Sequence, residues 1–546
     1  MTEAAVPPLR WYGWGDRAVT PPAGLLRLLH EELGASAGVV SPPVARDQVV
    51  LPPSGLSDRL RRRLVAALGS AHVRRGDDER LRHAAGRSYL DLLMLRAGQL
   101  TEAPDAVLHP GTPEEVLRVL RVCSDDGCAV VPFGGGTSVV GGVAPLHGGR
   151  HALVTLALDR CAGNAGVDAV SQMATLTAGT SGPAAESMLW PLGFTLGHWP
   201  QSFEYATVGG FAATRSAGQA SSGYGRFDDV VRGARLVAPA GELALRAAPP
   251  DATGPGLLQM VLGSEGTLGV ITEVTVRVRK RPRTRHYAGW SFAGLEAGAA
   301  ALRELAQHAA LPDVTRLSDA EETRVSFAMA GEGTATRAAH AYLRARGQSA
   351  PCLGILGWEG SGADIGRRMR EVAPLLRRHG AIALGGAPGR AWLRSRFEGP
   401  YLRDALLDRG LLVETLETAA TWTELLTVRE AVNAALRASL GARGTAPLIG
   451  CHVSHVYPEG ASLYFTVLAR RDSADPAGQW LDAKRAATDA LLAAGGALSH
   501  HHGVGRDHAP WLGRFAGDLG VTALHGLRAS LDPAGIMNPG KLTARH

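Results

Sequence analysis

Lysine is nearly missing from this chain of 546 residues, occurring only at Lys280, Lys484 and Lys541. The formal charge of +6 is therefore carried almost wholly by arginine, whose planar fork suits phosphate and carboxylate partners. Cysteine is also scarce. Cys123, Cys128, Cys161, Cys352 and Cys451 are scattered, odd in number and without CxxC spacing. That excludes a disulfide framework or a zinc ribbon and points to reduced core thiols in a cytosolic protein. Long apolar runs are absent too. The most apolar stretch, Ala129 to Leu146, is broken by glycines and prolines and cannot span a bilayer. The start, MTEAAVPPLRWYGWGD, lacks the basic-then-apolar order of a signal peptide, and the end, TARH, is no peroxisomal address. There is no internal repeat and no low-complexity tract, although Gly 69 and Pro 32 promise many turns.

What is present is enough apolar residue, 45%, for large cores, in a length that allows two to four compact units. Residues 1–100 read as a polar, arginine-rich leader with helical spacing at Leu25 to Leu33 and Leu56 to Leu68. Thr112, Pro113 and Glu115 then fit the N-cap, N1 and N3 positions of a capping box. A helix follows up to Gly127. A short buried strand, Ala129 to Pro132, runs straight into FGGGTSVVGG. From 152 to 281 the pattern is mostly strands with one helix, Gly182 to Leu189. After Pro282, helices such as Leu295 to Ala309 and Ala363 to His379 alternate with strands such as Leu353 to Trp358 and Ser462 to Val467. The expected divisions are 1–100, 101–282, 283–505 and 506–546, in an α+β protein.

The chemistry begins at Gly134-Gly135-Gly136-Thr137-Ser138. A strand opening into consecutive glycines presents backbone N–H groups with no side chain in the way, a nest for phosphate oxygens. Two other phosphate loops are excluded. A dinucleotide fingerprint needs a third glycine opening a helix, and position 139 is Val; a Walker loop needs GK[ST], and no lysine is near. Further segments follow in order: Gln201-Ser202-Phe203-Glu204-Tyr205-Ala206-Thr207 before Val208-Gly209-Gly210, then Thr214-Arg215-Ser216-Ala217, then Glu265-Gly266-Thr267-Leu268-Gly269-Val270-Ile271. The basic run Arg277 to Arg283 continues an alternating strand and reads as a solvated strand end, not a nucleic-acid site.

This order of segments resembles the FAD-binding domain of the vanillyl-alcohol oxidase/p-cresol methylhydroxylase (PCMH) superfamily. The resemblance implies a PCMH-type FAD-binding domain over 101–282 and an α+β cap, or substrate, domain over 283–505. It also implies a C-terminal segment, 506–546, packing back near the flavin. It assigns FAD, held non-covalently, to Pro132, Phe133, Gly134–Ser138, Gln201–Thr207, Thr214–Ala217 and Glu265–Ile271, with His198 beside the ring. Metal-dependent members carry GHxGDGNxH and SEHG. Here the stretches read Gly450-Cys451-His452-Val453-Ser454-His455 and Ser499-His500-His501-His502-Gly503. GDGN is absent and the acidic ligand position is His501, so no metal is expected. A softer metal among His452, His455 and the triplet is the minor alternative.

RWYGWGD, GHWPQSFEYATVGG, TRLSD, YLRD, GASLYF and SHHHGVGR together resemble the alkyldihydroxyacetonephosphate synthase (alkylglycerone-phosphate synthase) family, from about residue 10 to 542. The resemblance implies exchange of the acyl group of acyl-dihydroxyacetone phosphate for a fatty alcohol. FAD then serves as a covalent handle through N5, with no net oxidation. It implies that Arg403 binds the substrate phosphate, that Tyr464 donates and accepts a proton, and that His500, His501, His502 and Arg316 are needed for catalysis. Thr415 stands where animal members have serine, which keeps a hydroxyl in the substrate site. Histidine suits a proton shuttle at neutral pH. Alternation along an extended segment predicts that at most two of the three histidines face one site: His501, or His500 with His502. The ending DPAGIMNPGKL is closer to FAD-dependent oxidoreductases of 2-hydroxy acids, the alternative function. Expected partners are a phosphate-bearing lipid and a fatty alcohol, with at most a peripheral membrane contact, a homodimer by family analogy, and no nucleic acid.

Overall fold

The computed structural model describes residues 9–331 and 333–542. The first eight residues, before Leu9, and the closing residues 543–546 lie outside that range, and with them the signal-peptide reading and the TARH end. Of the four sheets among the described residues, one is only the two-stranded pair Phe194–Thr195 with Arg279–Lys280, and the other three set the architecture. A four-stranded sheet has the order Val73–Arg74, Ala106–Leu108, Leu153–Ala157, Ala129–Phe133, the last three strands being parallel. A five-stranded antiparallel sheet has the order Asn164–Asp168, Met173–Thr177, Val270–Arg277, Val231–Ala238, Gly241–Leu245. The third sheet is seven-stranded and antiparallel. Its order is Ile382–Gly385, Thr284–Phe292, Cys352–Gly360, Val314–Ser318, Leu448–Val456, Gly460–Arg470, Leu411–Thr421.

The first two sheets share one apolar core and the third has its own. The leader contributes to both. Leu25, Leu29 and Leu33 of the helix Ala23–Leu33 belong to the core of the seven-stranded sheet. Leu60, Leu64 and Leu68 of the helix Asp58–Leu68 belong to the core of the other two. Burying each leucine is worth about 1.5–3 kcal/mol, so the leader is stitched to both halves. The last residues close back onto the glycine loop's strand: Val130 N donates to Ile536 O, and Asn538 N donates to Val130 O.

The helix Pro113–Asp126 forms as its cap predicts, with Thr112 accepting from Glu115 N and Gly127 left-handed at its end. Only half of the capping box closes, because Glu115 Oε2 accepts from Gly111 N at 2.6 Å instead. The reading of a single helix between 152 and 281 is corrected. A helix spans Val208–Thr214 despite its two glycines, started by Thr207, whose hydroxyl accepts from Gly210 N. Gly209 is required there: a Cβ would sit 2.6 Å from Ala178 Cβ. Local propensity is overruled by the space that the packed neighbour leaves.

Candidate functional site

A cavity of about 460 Å³ lies between the glycine loop and one face of the seven-stranded sheet. Its phosphate side begins where the strand Ala129–Phe133 ends. A Cβ at Gly135 would stand 1.9 Å from Tyr205 O, one at Gly134 would stand 2.4 Å from Thr207 Oγ1, and Gly136 has φ +66°. The loop is glycine because a second backbone segment occupies the space where side chains would be.

All seven residues Pro132–Ser138 line this cavity. Gln201, Ser202, Ala206, Thr207, Thr214, Ser216, Ala217, Glu265, Gly266, Gly269, Val270 and Ile271 line it as well. Other members of the same segments face away and hold the wall in place. Phe203 packs on Trp199 and Phe397. The hydroxyls of Tyr205 and Tyr401 meet at 3.3 Å, and Tyr401 also donates to Glu204. Arg215 pairs with Asp228, and Thr267 Oγ1 donates to Ser264 O at 2.7 Å; Leu268 is a core residue. His198 is not on the wall. Its ring lies among Phe211 and Phe227 and reaches the cavity only through Ser216 Oγ, at 3.1 Å; burial pushes it down to about 3. Two backbone outliers sit on the wall. Glu265 has φ +50° and His455 has φ +48°, and such strain in non-glycine residues concentrates at functional sites.

The opposite wall is an open face of the antiparallel sheet. Alternation puts Arg316, His452, Ser454, Tyr464, Thr466 and Thr415 on it. The register aligns Ser318, His452, Tyr464 and Glu417 in one row across four strands. Arg316 is tied down by Glu322 at 2.5 Å and by His452 Nε2 at 3.1 Å. An arginine only donates, so His452 Nε2 accepts and its Nδ1–H donates to Glu322 Oε2 at 3.0 Å. Burial, then Arg316, lowers the proton affinity of His452, so it stays neutral. The Tyr464 ring stacks on His452 at 4.8 Å, and burial pushes the phenol up to about 12.

The histidine triplet is not an extended segment, and the alternation expected for it is corrected. Residues 499–502 curl around one buried carboxylate. Glu417 accepts from Ser499 Oγ at 2.7 Å and from the backbone N–H groups of His500, His501 and His502 at 2.7, 3.2 and 2.9 Å. The curl turns all three rings towards one another, with centroids 5.3 Å apart for His500 and His501 and 4.5 Å for His501 and His502. His501 and His502 line the cavity together. His500 stands behind them, with Nδ1 3.0 Å from His501 Nδ1 and Nε2 2.8 Å from the Tyr457 hydroxyl. Burial pushes His500 and His501 down to about 4, against the pull of Glu417. Burial alone would raise Glu417; the surrounding histidines and Ser499 outweigh it and hold the carboxylate well below its usual range.

A second buried carboxylate ties this turn to the glycine loop's side. Glu265 accepts from Val504 N and Gly505 N, both at 2.7 Å. Sequence reasoning missed Glu417, Glu322 and Glu414. The available signal was charge inside buried strands, since Glu414 and Glu417 interrupt an otherwise apolar LLVETLETAA. It also missed His455 as a wall residue, hydrogen-bonded by Nδ1 to Ser221 Oγ at 2.6 Å. His455, His500 and His501 each bring one ring nitrogen within 4.8 Å of the others, without a carboxylate in the set.

Arg403 comes from the helix Gly399–Leu407 and is buried on the same wall. Its Nη1 donates to Arg87 O at 2.6 Å. Its Nε and Nη2 have no hydrogen-bond partner among the described residues, and Asp404 Oδ1 is 3.5 Å from Nη2. Asp404 therefore supplies a nearby counter-charge without a close hydrogen bond, and an anion hydrogen-bonded to the guanidinium would satisfy it more fully.

Residues 104–245 match the FAD binding domain model, and residues 281–542 match that of the C-terminal domain of FAD linked oxidases. An alkyldihydroxyacetonephosphate synthase of Dictyostelium discoideum is 34% identical over 85% of this chain and 77% of its own length. This chain belongs to the alkyldihydroxyacetonephosphate synthase family. A solved structure of an alkyldihydroxyacetonephosphate synthase superposes with a TM-score of 0.84 at 29% identity, covering 97% of this chain and 98% of that one. The p-cresol methylhydroxylase structure, with a TM-score of 0.66, 15% identity, and coverage of 91% of this chain and 99% of that one, shares the fold. The α+β, PCMH-type architecture expected from the sequence is therefore borne out, and FAD is the cofactor of this family member. Its residues fit the group. The Gly134–Gly136 cradle is kept clear of side chains, and the cavity wall joins it to Arg403 and the histidine turn.

Proposed function

We propose that this family member exchanges the acyl group of acyl-dihydroxyacetone phosphate for a fatty alcohol, forming an ether bond and releasing a carboxylate. The observation that carries the reading is Arg403, a buried arginine that lines the same cavity as the flavin loop. A phosphate monoester needs such an anchor. FAD bound along the Pro132–Ser138 loop would supply N5 of its oxidised ring as a covalent handle for the dihydroxyacetone carbon. The chain does the rest. Arg403 fixes the phosphate and Thr415 offers its hydroxyl nearby. Neutral His501 takes the alcohol proton, Tyr464 donates and accepts at the carbonyl carbon's side, and Arg316 holds His452 beneath the Tyr464 ring. His502 shares the wall with His501, and His500 supports both.

Oxidation of a 2-hydroxy acid is the second reading, favoured by the ending Asp532 to Leu542, although that segment here braces the strand of the glycine loop. One comparison separates the two. The yellow holoenzyme is mixed anaerobically with glycolate, D-lactate or D-2-hydroxyglutarate, and separately with acyl-dihydroxyacetone phosphate and hexadecanol. Ether lipid without lasting bleaching is expected; lasting bleaching by a hydroxy acid with no ether product would sink the synthase reading. The same proposal keeps FAD non-covalent, so acid precipitation should leave the flavin in the supernatant. It also includes a homodimer and a peripheral lipid contact, tested by sedimentation alone and with vesicles. No described helix is long and apolar enough to cross a membrane.

A further inference from the structure

We propose that His501, His500 and Tyr457 form a proton wire from the cavity to the protein surface, held in register by Glu417. The inference rests on the reaction proposed above and on its proton balance. The alcohol O–H bond breaks and a new C–O ether bond forms. The ester's alkyl C–O bond breaks, and its electron pair leaves on the carboxylate. A fatty carboxylic acid has an ordinary carboxyl pKa of about 4 and is ionised at neutral pH. One proton is therefore left over in each turnover, with no oxidant or reductant involved. It arises at the wall of the cavity that His501 lines.

The geometry offers that proton a way out. His501 is on the cavity wall, and its Nδ1 meets His500 Nδ1 at 3.0 Å. His500 is off the wall, and its Nε2 meets the Tyr457 hydroxyl at 2.8 Å. Tyr457 follows the strand Leu448–Val456 in a hairpin whose next residues, Pro458 and Glu459, are exposed. Tyr457 itself is half-buried; the Arg226 guanidinium lies close enough to lower the proton affinity of its hydroxyl against the effect of burial, and the exposed Asp229 lies near. A chain of two imidazoles and a phenol has two consistent settings. Either His500 accepts from the phenol and donates to His501, or it accepts from His501 and donates to the phenol. Passing one proton along the chain converts one setting into the other.

Glu417 serves this chain twice. It accepts the backbone N–H groups of all three histidines, which fixes the ring spacing. Its Oε2 is also 3.6 Å from His501 Nδ1, so a transient imidazolium has a counter-charge in a buried setting. Glu417 is a positioning residue, and Tyr457 is the outer relay.

The test uses Tyr457→Phe, His500→Gln and Glu417→Gln as FAD-loaded full chains, each first matched to wild type in flavin absorbance. Ether product, acyl-substrate KM and the solvent deuterium isotope effect on kcat are measured. Tyr457→Phe should lower kcat about tenfold or more, in the lower range of proton-transfer contributions. KM should be unchanged, the isotope effect larger, and kcat partly restored by added imidazole buffer. His500→Gln should behave alike. Glu417→Gln should lower kcat and shift the acid limb of its pH profile downwards, because the lost charge no longer raises the proton affinity of His501. Wild-type kcat and isotope effect in both Tyr457→Phe and His500→Gln overturn the wire while leaving the proposed reaction standing. So does a loss of kcat with an unchanged isotope effect and no imidazole rescue. A wild-type chain that makes no ether lipid overturns both.

Discussion

The glycine loop at 132–142 and the histidine turn at 499–505 border the same cavity and are built in opposite ways. The loop works by what it lacks. Gly134, Gly135 and Gly136 leave room for Thr207 Oγ1, for Tyr205 O and for a left-handed backbone. The turn works by what is brought to it. Its three N–H groups end on Glu417, and the two beyond Gly503 end on Glu265, two carboxylates far away in the sequence. A site made of backbone is specified by a short contiguous motif. A site made of charges is specified by pairs that only the fold brings together.

The largest expected effect tests whether the charged side recognises substrate independently of the loop. Arg403→Ala removes a buried guanidinium on the wall. Loss of a buried charge contact costs about 2–5 kcal/mol, so kcat/KM for the phosphate substrate should fall at least thirtyfold, by the conversion of about 1.4 kcal/mol per tenfold. FAD content should be unchanged. Intact affinity for the acyl substrate in titrations would remove Arg403 from the site. The reverse separation comes from Gly135→Ala, whose Cβ would meet backbone, not a side chain that can swing aside. Overpacking of that kind costs about 1–3 kcal/mol. The variant should lose FAD affinity by about ten- to a hundredfold in fluorescence titration while its far-ultraviolet dichroism stays native. Full FAD loading would show that the loop has slack.

This contrast explains how much of the site could be read from sequence. FGGGTS was legible because three glycines after a strand suggest a phosphate nest and the segments that follow it in order narrow that nest to FAD, and the cap at Thr112 was legible because N-caps are local. Single strands were legible from alternation, as in Val270–Arg277. The triplet's shape was not, because a bend closed by Glu417 leaves no local signature and 499–502 looks extended on its own. His198 was misplaced for a related reason: its neighbour in the chain is the flavin segment, but its neighbours in space are Phe211 and Phe227. Glu417 inside a buried strand was visible as a residue, although its partner, the histidine turn, was visible only in the fold.

Acid titration separates the two regions by stability. His500 and His501 sit at about 4 and His198 and His502 at about 3, while unfolded histidine titrates near 6.5. Between about pH 6.5 and 4 the unfolded chain binds more protons than the native one, so stability falls as pH falls through that window. A tenfold difference in proton affinity between the folded and unfolded chain is worth about 1.4 kcal/mol. His501→Asn should flatten the decline of urea midpoints between pH 6.5 and 5, and an unchanged slope would show that the ring is not neutral in the fold. The glycine loop has no group that titrates there, so Gly135→Ala should leave the slope alone.

The smallest effect asks whether the charged side depends on exact atoms or on hydroxyl chemistry. Thr415 is half-buried on the sheet's cavity face, paired in register with Thr466 and close enough to lower the proton affinity of the Tyr464 phenol. Thr415→Ser keeps the hydroxyl and deletes one methyl group at a wall position, at a cost of about 0.5–1 kcal/mol. The kcat should stay within about threefold of wild type, which is about 0.7 kcal/mol on the same scale. Thr415→Val keeps the shape and deletes the hydroxyl, so it should lose more activity than Thr415→Ser although it loses less volume. If Val is the milder change, the methyl packing and not the hydroxyl is what position 415 supplies. The charged wall would then resemble the glycine loop, a region defined by shape, more than the opening contrast allows.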